Sequence, residues 1–404
     1  MKIDTDEKKI DELLTRSVVS ILPSKDDFKK LLLSGKKLRI YVGADATGAK
    51  LHIGHSTNFM ILEKFRQLGH EVIILFGDFT AKIGDPSGKD NARKPLTDNE
   101  VKQNLKTWEK QLGKIIKISH FNNGAKVVRN SEWLSKMNFS DVVKLASNFT
   151  VQQMMERDMF QKRLEEKKPI YLHEFFYPLM QGQDSVVLDV DVEIGGNDQT
   201  FNMLAGRTLQ KIARNKEKFV MPTTLLINPK TGKKLMSKSE GNVIGLDDEY
   251  NDMFGKAMSL PDETIISVFV DCTYVSMEEV EKIKKEMESG ANPRDAKLKL
   301  AKEIVTIYHG KDMAEKAEQN FINTFKKGGL PENLEEVKVV AGELLGKILV
   351  SGGIVSSNTD FRRLVGEGAV SDVVSGEKIE KVDFKIEKSI VVKVGKKRFV
   401  KIVI

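Results

Sequence analysis

An α/β protein built on a parallel sheet, carrying a helical insertion and followed by an all-helical segment and a small α+β domain, is what this sequence predicts. Three observations point there. Short apolar runs alternate with amphipathic helical patterns through the first half; from about Asp247 the pattern turns helical; and the last 64 residues end in alternating strands. A length of 404 residues with 40 % hydrophobic content is enough for two or three domains.

The elements follow in order. The run LRIYVGA (38–44) reads as a buried strand, HSTNFMILEKFRQLG (55–69) as an amphipathic helix closed by Gly69, and EVIILFG (71–77) as the next strand. A strand, a crossover of about 15 residues and a second strand make a βαβ unit of a parallel sheet. The pattern repeats as DVDVEIGG (189–196), the helical DQTFNMLAGRTLQKIA (198–213) and a strand FVMPTTLLI (219–227), so the sheet resumes after an inserted helical stretch. GADATG and GGNDQ fall at strand carboxyl ends, where open α/β sheets bind ligands. SMEEVEKIKKEMESG and NPRDAKLKLAKEIVTIYHG are helical, KKGGLPENLEE (326–336) has linker composition, and SIVVKVGKKRFVKIVI alternates as strands do. The expected divisions are 1–245, 246–327, a linker at 328–340, and 341–404.

Cys272 is the only cysteine, which excludes an internal disulfide and a thiolate metal cluster, and no metal ligand set is expected. The first residues lack the apolar core of a signal peptide, and no apolar run nears the ~20 residues a membrane span needs, so a cytoplasmic protein without a membrane partner is expected. The net charge is +7, and +4 of it falls in residues 341–404, where nine Lys and three Arg face eight acidic residues. That placement suits a polyanionic partner, although a lysine-rich surface can also be merely solvated.

Two stretches carry the chemistry. LHIGH (51–55) spends two of six histidines at a helix opening beside a glycine, a combination that offers ring and backbone N–H groups to phosphate oxygens, or else two ordinary surface histidines. GKKLMSKSEGN (232–242) is a loop of Lys, Ser and Gly in which Lys233, Lys234 and Lys238 are placed to clamp a triphosphate. The two are separated by about 180 residues.

His-Ile-Gly-His followed by Met-Ser-Lys-Ser across a parallel sheet resembles the two signatures of class I aminoacyl-tRNA synthetases. Together with GDFTAKIGDPSGK (77–89), FFYPLMQGQDS (175–185) and EIGGNDQ (193–199), it resembles the bacterial-type tyrosyl-tRNA synthetases along nearly the whole chain. The resemblance implies a Rossmann-like catalytic domain, ATP with Mg²⁺ as a substrate complex and no permanent cofactor. It also implies L-tyrosine and tRNA(Tyr) as further substrates, and a homodimer formed through the insertion around residues 140–185. It assigns His52, His55, Lys238 and Ser239 to the phosphates, and Gly43, Asp45, Thr47, Gly54, Gly196, Asp198 and Met236 to the rest of the ATP site. Tyr41 and Asp184 would meet the substrate phenol; Asp85, Tyr177 and Gln181 would surround its α-ammonium group; Gln199 would flank the adenylate or the carboxylate. Tyr41 and Asp184 can donate to and accept from a buried hydroxyl, which costs ~1–3 kcal/mol if left unpaired, and a tryptophan-activating relative would have no need of Asp184.

The sequence departs from the signature at Leu235, which stands where a loop lysine is usual; Lys234, one residue earlier, is the candidate replacement by a small loop shift. The basic tail, with LLGKILVSGGIVSSNTDFRRLVGEGAVS, resembles an RNA-binding module shared with a ribosomal small-subunit protein, and implies that Arg362 and Arg363 face RNA phosphate.

Overall fold

The computed structural model describes residues 2–87, 96–119, 121–236, 243–326, 335–373, 377–395 and 398–404. Two compact units divide the chain, residues 1–314 and 315–404.

The first unit is organised by a five-stranded, all-parallel sheet: β1 (Arg39–Asp45), β2 (Glu71–Gly77), β3 (Lys126–Arg129), β4 (Val192–Gly196) and β5 (Phe219–Thr223), in spatial order β3-β2-β1-β4-β5. Ile40, Tyr41 and Val42 of β1 and Val72 through Phe76 of β2 are buried, as expected of strands covered on both faces. The Ile53–Gln67 helix packs on β1, β2 and β4, and the Thr200–Arg214 helix on β4 and β5. Chain order reverses between β1 and β4, so their carboxyl ends open a crevice that begins at Asp45 and Gly196. The free edge of β5 is covered by the N-terminal segment, through antiparallel bridges from Val18 to Thr223 and Leu22 to Val220.

The strand expected over 219–227 ends at Thr223. Beyond it the backbone leaves the sheet and forms a hairpin of its own, with Leu235 N–H on Leu226 O (2.8 Å) and Asn228 N–H on Lys233 O (2.9 Å). Apolar content continues past the strand because Leu226 is buried in that hairpin.

Helices of the 246–314 stretch are tied to this body. Thr57 Oγ1 donates to Asp271 O (3.0 Å), and the Arg16 guanidinium donates to the carbonyls of Phe269, Val270, Thr273 and Val275, satisfying the end of the Ile265–Cys272 helix. Cys272 is buried and free.

The second unit holds a four-stranded sheet, β6 (Glu335–Lys338), β7 (Val370–Asp372), β8 (Ile390–Val394) and β9 (Arg398–Val403), in order β6-β9-β8-β7. Its core gathers Leu345, Leu349, Phe361, Leu364, Val392 and Val400 from two helices and the sheet. Residues 335–338, read from composition as linker, are a strand paired parallel to β9, because Val337 packs on that core.

Candidate active site

Backbone pairing brings the two signature stretches together. Ile53 N–H donates to Ile244 O (3.0 Å), Leu246 N–H to Leu51 O (2.9 Å), and His52 bridges Gly245, so the segment following the lysine loop lies along the start of the Ile53–Gln67 helix. Met236, at φ +62°, is buried with its Cγ 3.8 Å from where a Gly54 Cβ would sit. Lys238 and Ser239 lie outside the described residues.

Gly54 also makes room for the first imidazole: a Cβ there would fall 3.2 Å from His52 Nδ1 and Cε1. The rings of His52 and His55 lie 3.8 Å apart, and His55 Nδ1 accepts the His52 backbone N–H at 3.2 Å. A nitrogen that accepts cannot carry the proton of a neutral ring, so the His55 proton is on Nε2. Surrounding protein lowers His52 to about 3, with a smaller contribution from His55, and lowers His55 to about 4. His55 is nonetheless exposed, and water at that open edge favours the smaller depression for it. Both rings are neutral donors at neutral pH.

The loop leading into the signature is braced from one helix. Asn104, Thr107, Trp108 and Gln111 of the Asp98–Leu112 helix donate to the carbonyls of Ala46, Ala49, Gly48 and Ala49, at 2.7–2.8 Å, and Gln111 Oε1 accepts from Leu51 N–H. Thr47 and Gly43 are exposed at the β1 end of this loop. None of the four bracing residues was expected from the sequence; their polar stripe at i, i+3, i+4 and i+7 was the available signal.

At the end of β1 the Asp45 carboxylate is held from two sides, by Thr80 Oγ1 (2.7 Å) and by the Tyr177 hydroxyl (2.9 Å). Only glycine fits at position 77, where a Cβ would lie 2.1 Å from Asp45 Oδ1. Asn130 Nδ2 donates to both Thr80 Oγ1 (3.0 Å) and Asp184 Oδ2 (3.2 Å), and Trp133 Nε1 donates to Asp184 Oδ1 (2.8 Å). One chain of hydrogen bonds therefore runs from Tyr177 through Asp45, Thr80 and Asn130 to Asp184. Asp184 is 2 % exposed, and burial raises its carboxyl well above the ordinary range despite those two donors. Tyr41, Ile73, Leu75 and Val190 form an apolar cluster flanked by Trp133.

Asp85 Oδ2 accepts from Gln199 Nε2 (2.6 Å), and Gln199 Oε1 accepts from Asn202 (3.0 Å). Gln181 Nε2 instead donates to Glu193 Oε1 at 2.9 Å. Ser87, two residues beyond Asp85, accepts from buried Arg157 (2.7 Å), which also lies over the rings of Phe160 and Phe201. Burial lowers that guanidinium to about 10. Gly196 approaches Asp198 so closely that a Cβ would meet its Oδ1 at 2.9 Å, and Asp198 Oδ2 pairs with Lys234 Nζ at 2.7 Å.

Of the expected residues, Tyr41, Gly43 and Asp45 lie on β1, His52, Gly54 and His55 at the start of the Ile53–Gln67 helix, Tyr177, Gln181 and Asp184 on the His173–Leu188 helix, Gly196 at the end of β4 with Asp198 and Gln199 just after it, and Thr47, Asp85 and Met236 in connecting segments. In the second unit, Arg363 is paired with Asp360 (2.8 Å) and Glu367 (2.7 Å), and Arg362 is exposed beside it. A separate small cavity lined by Leu13, Arg16, Thr57, Met60, Lys64 and Tyr274 contains none of the expected site residues. Among the described residues, no group of three or more His, Cys, Asp or Glu is arranged to hold a metal, and no helix is long and apolar enough to cross a membrane.

Comparison with known proteins bears on the family and the fold. The family model described as tRNA synthetases class I (W and Y) matches residues 33–326. The tyrosine–tRNA ligase of Carboxydothermus hydrogenoformans is 46 % identical over 406 residues, covering 97 % of each chain. That of Haemophilus influenzae is 42 % identical, covering 96 % of this chain and 95 % of its own. Among solved structures, a C-terminally truncated mitochondrial tyrosyl-tRNA synthetase of Aspergillus nidulans has the same fold, with a TM-score of 0.66 at 23 % identity over 78 % of this chain and 94 % of that one. The Archaeoglobus fulgidus tyrosyl-tRNA synthetase complexed with L-tyrosine gives 0.59 at 21 % identity, over 78 % of this chain and 100 % of that one. The family match over residues 33–326, on a chain that carries the parallel sheet described above, establishes that the chain belongs to the class I tRNA synthetases (W and Y).

Proposed function

We propose that the protein is a tyrosine–tRNA ligase, which joins tyrosine to ATP as tyrosyl-adenylate with release of pyrophosphate and then passes the tyrosyl group to the 3′ end of tRNA(Tyr). The carrying observation is the buried Asp184 carboxylate, fixed by Asn130 and Trp133 at the apolar cluster that contains Tyr41. An apolar cluster bordered by fixed polar groups suits contact with a side chain that has an aromatic body and a hydroxyl tip. Asp85, Tyr177 and Gln181 surround the substrate's ammonium group. His52 and His55 donate to the ATP phosphates from a helix opening, with Lys238 and Ser239 of the lysine loop, and Mg²⁺ enters with ATP as part of the substrate. Gly43, Asp45, Thr47, Gly54, Gly196, Asp198, Gln199 and Met236 line the adenylate. No protein nucleophile is involved; the tyrosine carboxylate attacks the α-phosphate, and the site contributes positioning and electrostatic stabilisation.

Around this centre we assign residues 246–327 to the anticodon side of the tRNA. The basic module 341–404, with Arg362 and Arg363, is assigned to RNA phosphate. The insertion is the dimer contact: the Phe139–Ala146 helix buries none of its residues, and Phe139, Val143, Val151, Leu164 and Leu172 are each more than half exposed, an apolar face suited to a second copy of the chain. The site of action is the cytoplasm, where tRNA is charged. ATP–pyrophosphate exchange measured with each amino acid in turn tests the reading: tyrosine alone is expected to drive rapid exchange, and exchange driven by tryptophan instead would overturn it.

A further inference from the structure

Beneath the hydroxyl of Tyr41 lies a charged cluster with no part in the scheme above. Tyr41 on β1 and Glu193 on β4 are register partners. Lys218, the residue before β5, is 0 % exposed, and its Nζ contacts both Glu193 Oε2 and, at 2.8 Å, Ser185 Oγ. Ser185 Oγ stands 3.0 Å from the Tyr41 hydroxyl and 3.2 Å from Glu193 Oε2, and Glu193 Oε1 accepts from Gln181. The neighbouring helix leaves space for the group, since a Cβ at Gly206 would fall 2.5 Å from Lys218 Nζ and 2.8 Å from Ser185 Oγ. An ion pair this deep carries a desolvation cost that an apolar pair of similar volume avoids, so its presence calls for a role beyond stability.

Proton accounting supplies one. An ammonium only donates and a carboxylate only accepts. Ser185 therefore takes a proton of Lys218 and gives its own to Glu193, which pins its oxygen 3.0 Å from the Tyr41 hydroxyl. The Tyr41 hydroxyl is thereby positioned from below.

We propose that Glu193 and Lys218, acting through Ser185, are positioning residues that fix the place of the Tyr41 hydroxyl, and with it the preference for a para-hydroxylated substrate. The second Glu193 oxygen steadies Gln181. This inference rests on the tyrosine-ligase reading.

The test is amino-acid-dependent pyrophosphate exchange with tyrosine and phenylalanine on S185A and on the double variant E193L/K218M. The double variant removes both charges at once, so that neither is left buried alone. Thermal unfolding is followed in parallel. S185A is expected to lower kcat/KM for tyrosine about tenfold, mainly through KM, with phenylalanine nearly unchanged, as loss of one well-placed hydrogen bond does. E193L/K218M is expected to lower the tyrosine-to-phenylalanine ratio likewise and to weaken both substrates further through Gln181. In a Y41F background S185A is expected to add nothing to the ratio, because its route to the substrate is gone. An unchanged ratio in S185A, equal losses for both amino acids, or full additivity with Y41F each overturn the proposal; if the double variant fails to fold, S185A and the Y41F cycle decide. A parent protein without tyrosine-dependent exchange overturns the ligase reading itself.

Discussion

Lys234 Nζ lies 2.7 Å from Asp198 Oδ2, joining the lysine loop to the segment that closes β4. Leu235 beside it uses its backbone N–H in the hairpin to Leu226. The side chain at 234 is thereby held against Asp198, one of the residues proposed for the ATP site. K234A is expected to slow adenylate formation by up to about 10²-fold, in line with loss of one contact to developing charge, and L235A to leave it within about threefold. Pre-steady-state adenylate formation checks this; the opposite ranking would remove Lys234 from the role.

With His55 Nδ1 occupied by the His52 N–H, its Nε2–H is the donor left for a phosphate oxygen. H55A is expected to slow adenylate formation by roughly 10²–10³-fold while tyrosine affinity changes little. Single-turnover rates and tyrosine equilibrium binding, taken together, separate the two effects, and a wild-type rate would contradict the assignment.

Depressed imidazoles have a stability signature. An unfolded chain takes up protons at these histidines near pH 6.5, whereas the folded protein refuses them until about pH 4 for His55 and about 3 for His52. The stabilisation is present above pH 6.5 and declines as pH falls toward 4. The melting temperature of the parent is expected to fall more steeply between pH 6.5 and 4 than that of H52N/H55N, with the two curves parallel above pH 7. Identical slopes would mean that the rings titrate normally.

At the other end of the proposed site, D184A removes the acceptor proposed for the substrate hydroxyl and also strands Trp133 and Asn130. Tyrosine activation is expected to drop by more than tenfold and phenylalanine activation to drop less, so that the ratio shifts toward phenylalanine. An unaltered ratio of kcat/KM values would take Asp184 out of the pocket.

Ending the chain after Lys326 keeps the family-matched span and removes the second sheet together with the +4 charge of residues 341–404. Pyrophosphate exchange should persist at near the intact rate, while tRNA charging weakens and its dependence on salt flattens. Charging curves at several salt concentrations, for both proteins, carry the comparison. Superimposable curves would make the tail a bystander; lost exchange would make it part of the catalytic body.

The sheet was legible where a strand is a bounded apolar run, as at 38–44 and 71–77. It was not legible at β3, because KVVR offers two apolar residues between two cations and gains its place only by pairing with β2. The strand at 219–227 was read too long because buried hairpin residues look like strand residues in composition. Tyr41, Asp184 and the histidines were singled out as candidates through their signature neighbours. Their supports were not: Thr80, Asn130 and Trp133 come from loop and helix positions 35 to 54 residues away from the groups they hold, and no local pattern marks such partners. Glu193 and Lys218 left a trace, a carboxylate inside an apolar strand and a lysine abutting another, which periodicity alone does not interpret.

The shared amide of Asn130 limits how this pocket could be re-purposed. A designer who replaces Asp184 to admit a larger para substituent leaves one hydrogen of that amide without an acceptor in the interior, at a cost of about 1–3 kcal/mol. The same amide is anchored to Phe79 N–H and donates to Thr80, so any shift it makes toward a new acceptor pulls on Thr80 and hence on the grip on Asp45, and a change made for amino-acid choice would surface at the end proposed for the adenylate. Re-engineering here therefore begins at position 130, by giving the amide a new acceptor, before any room is made at 184.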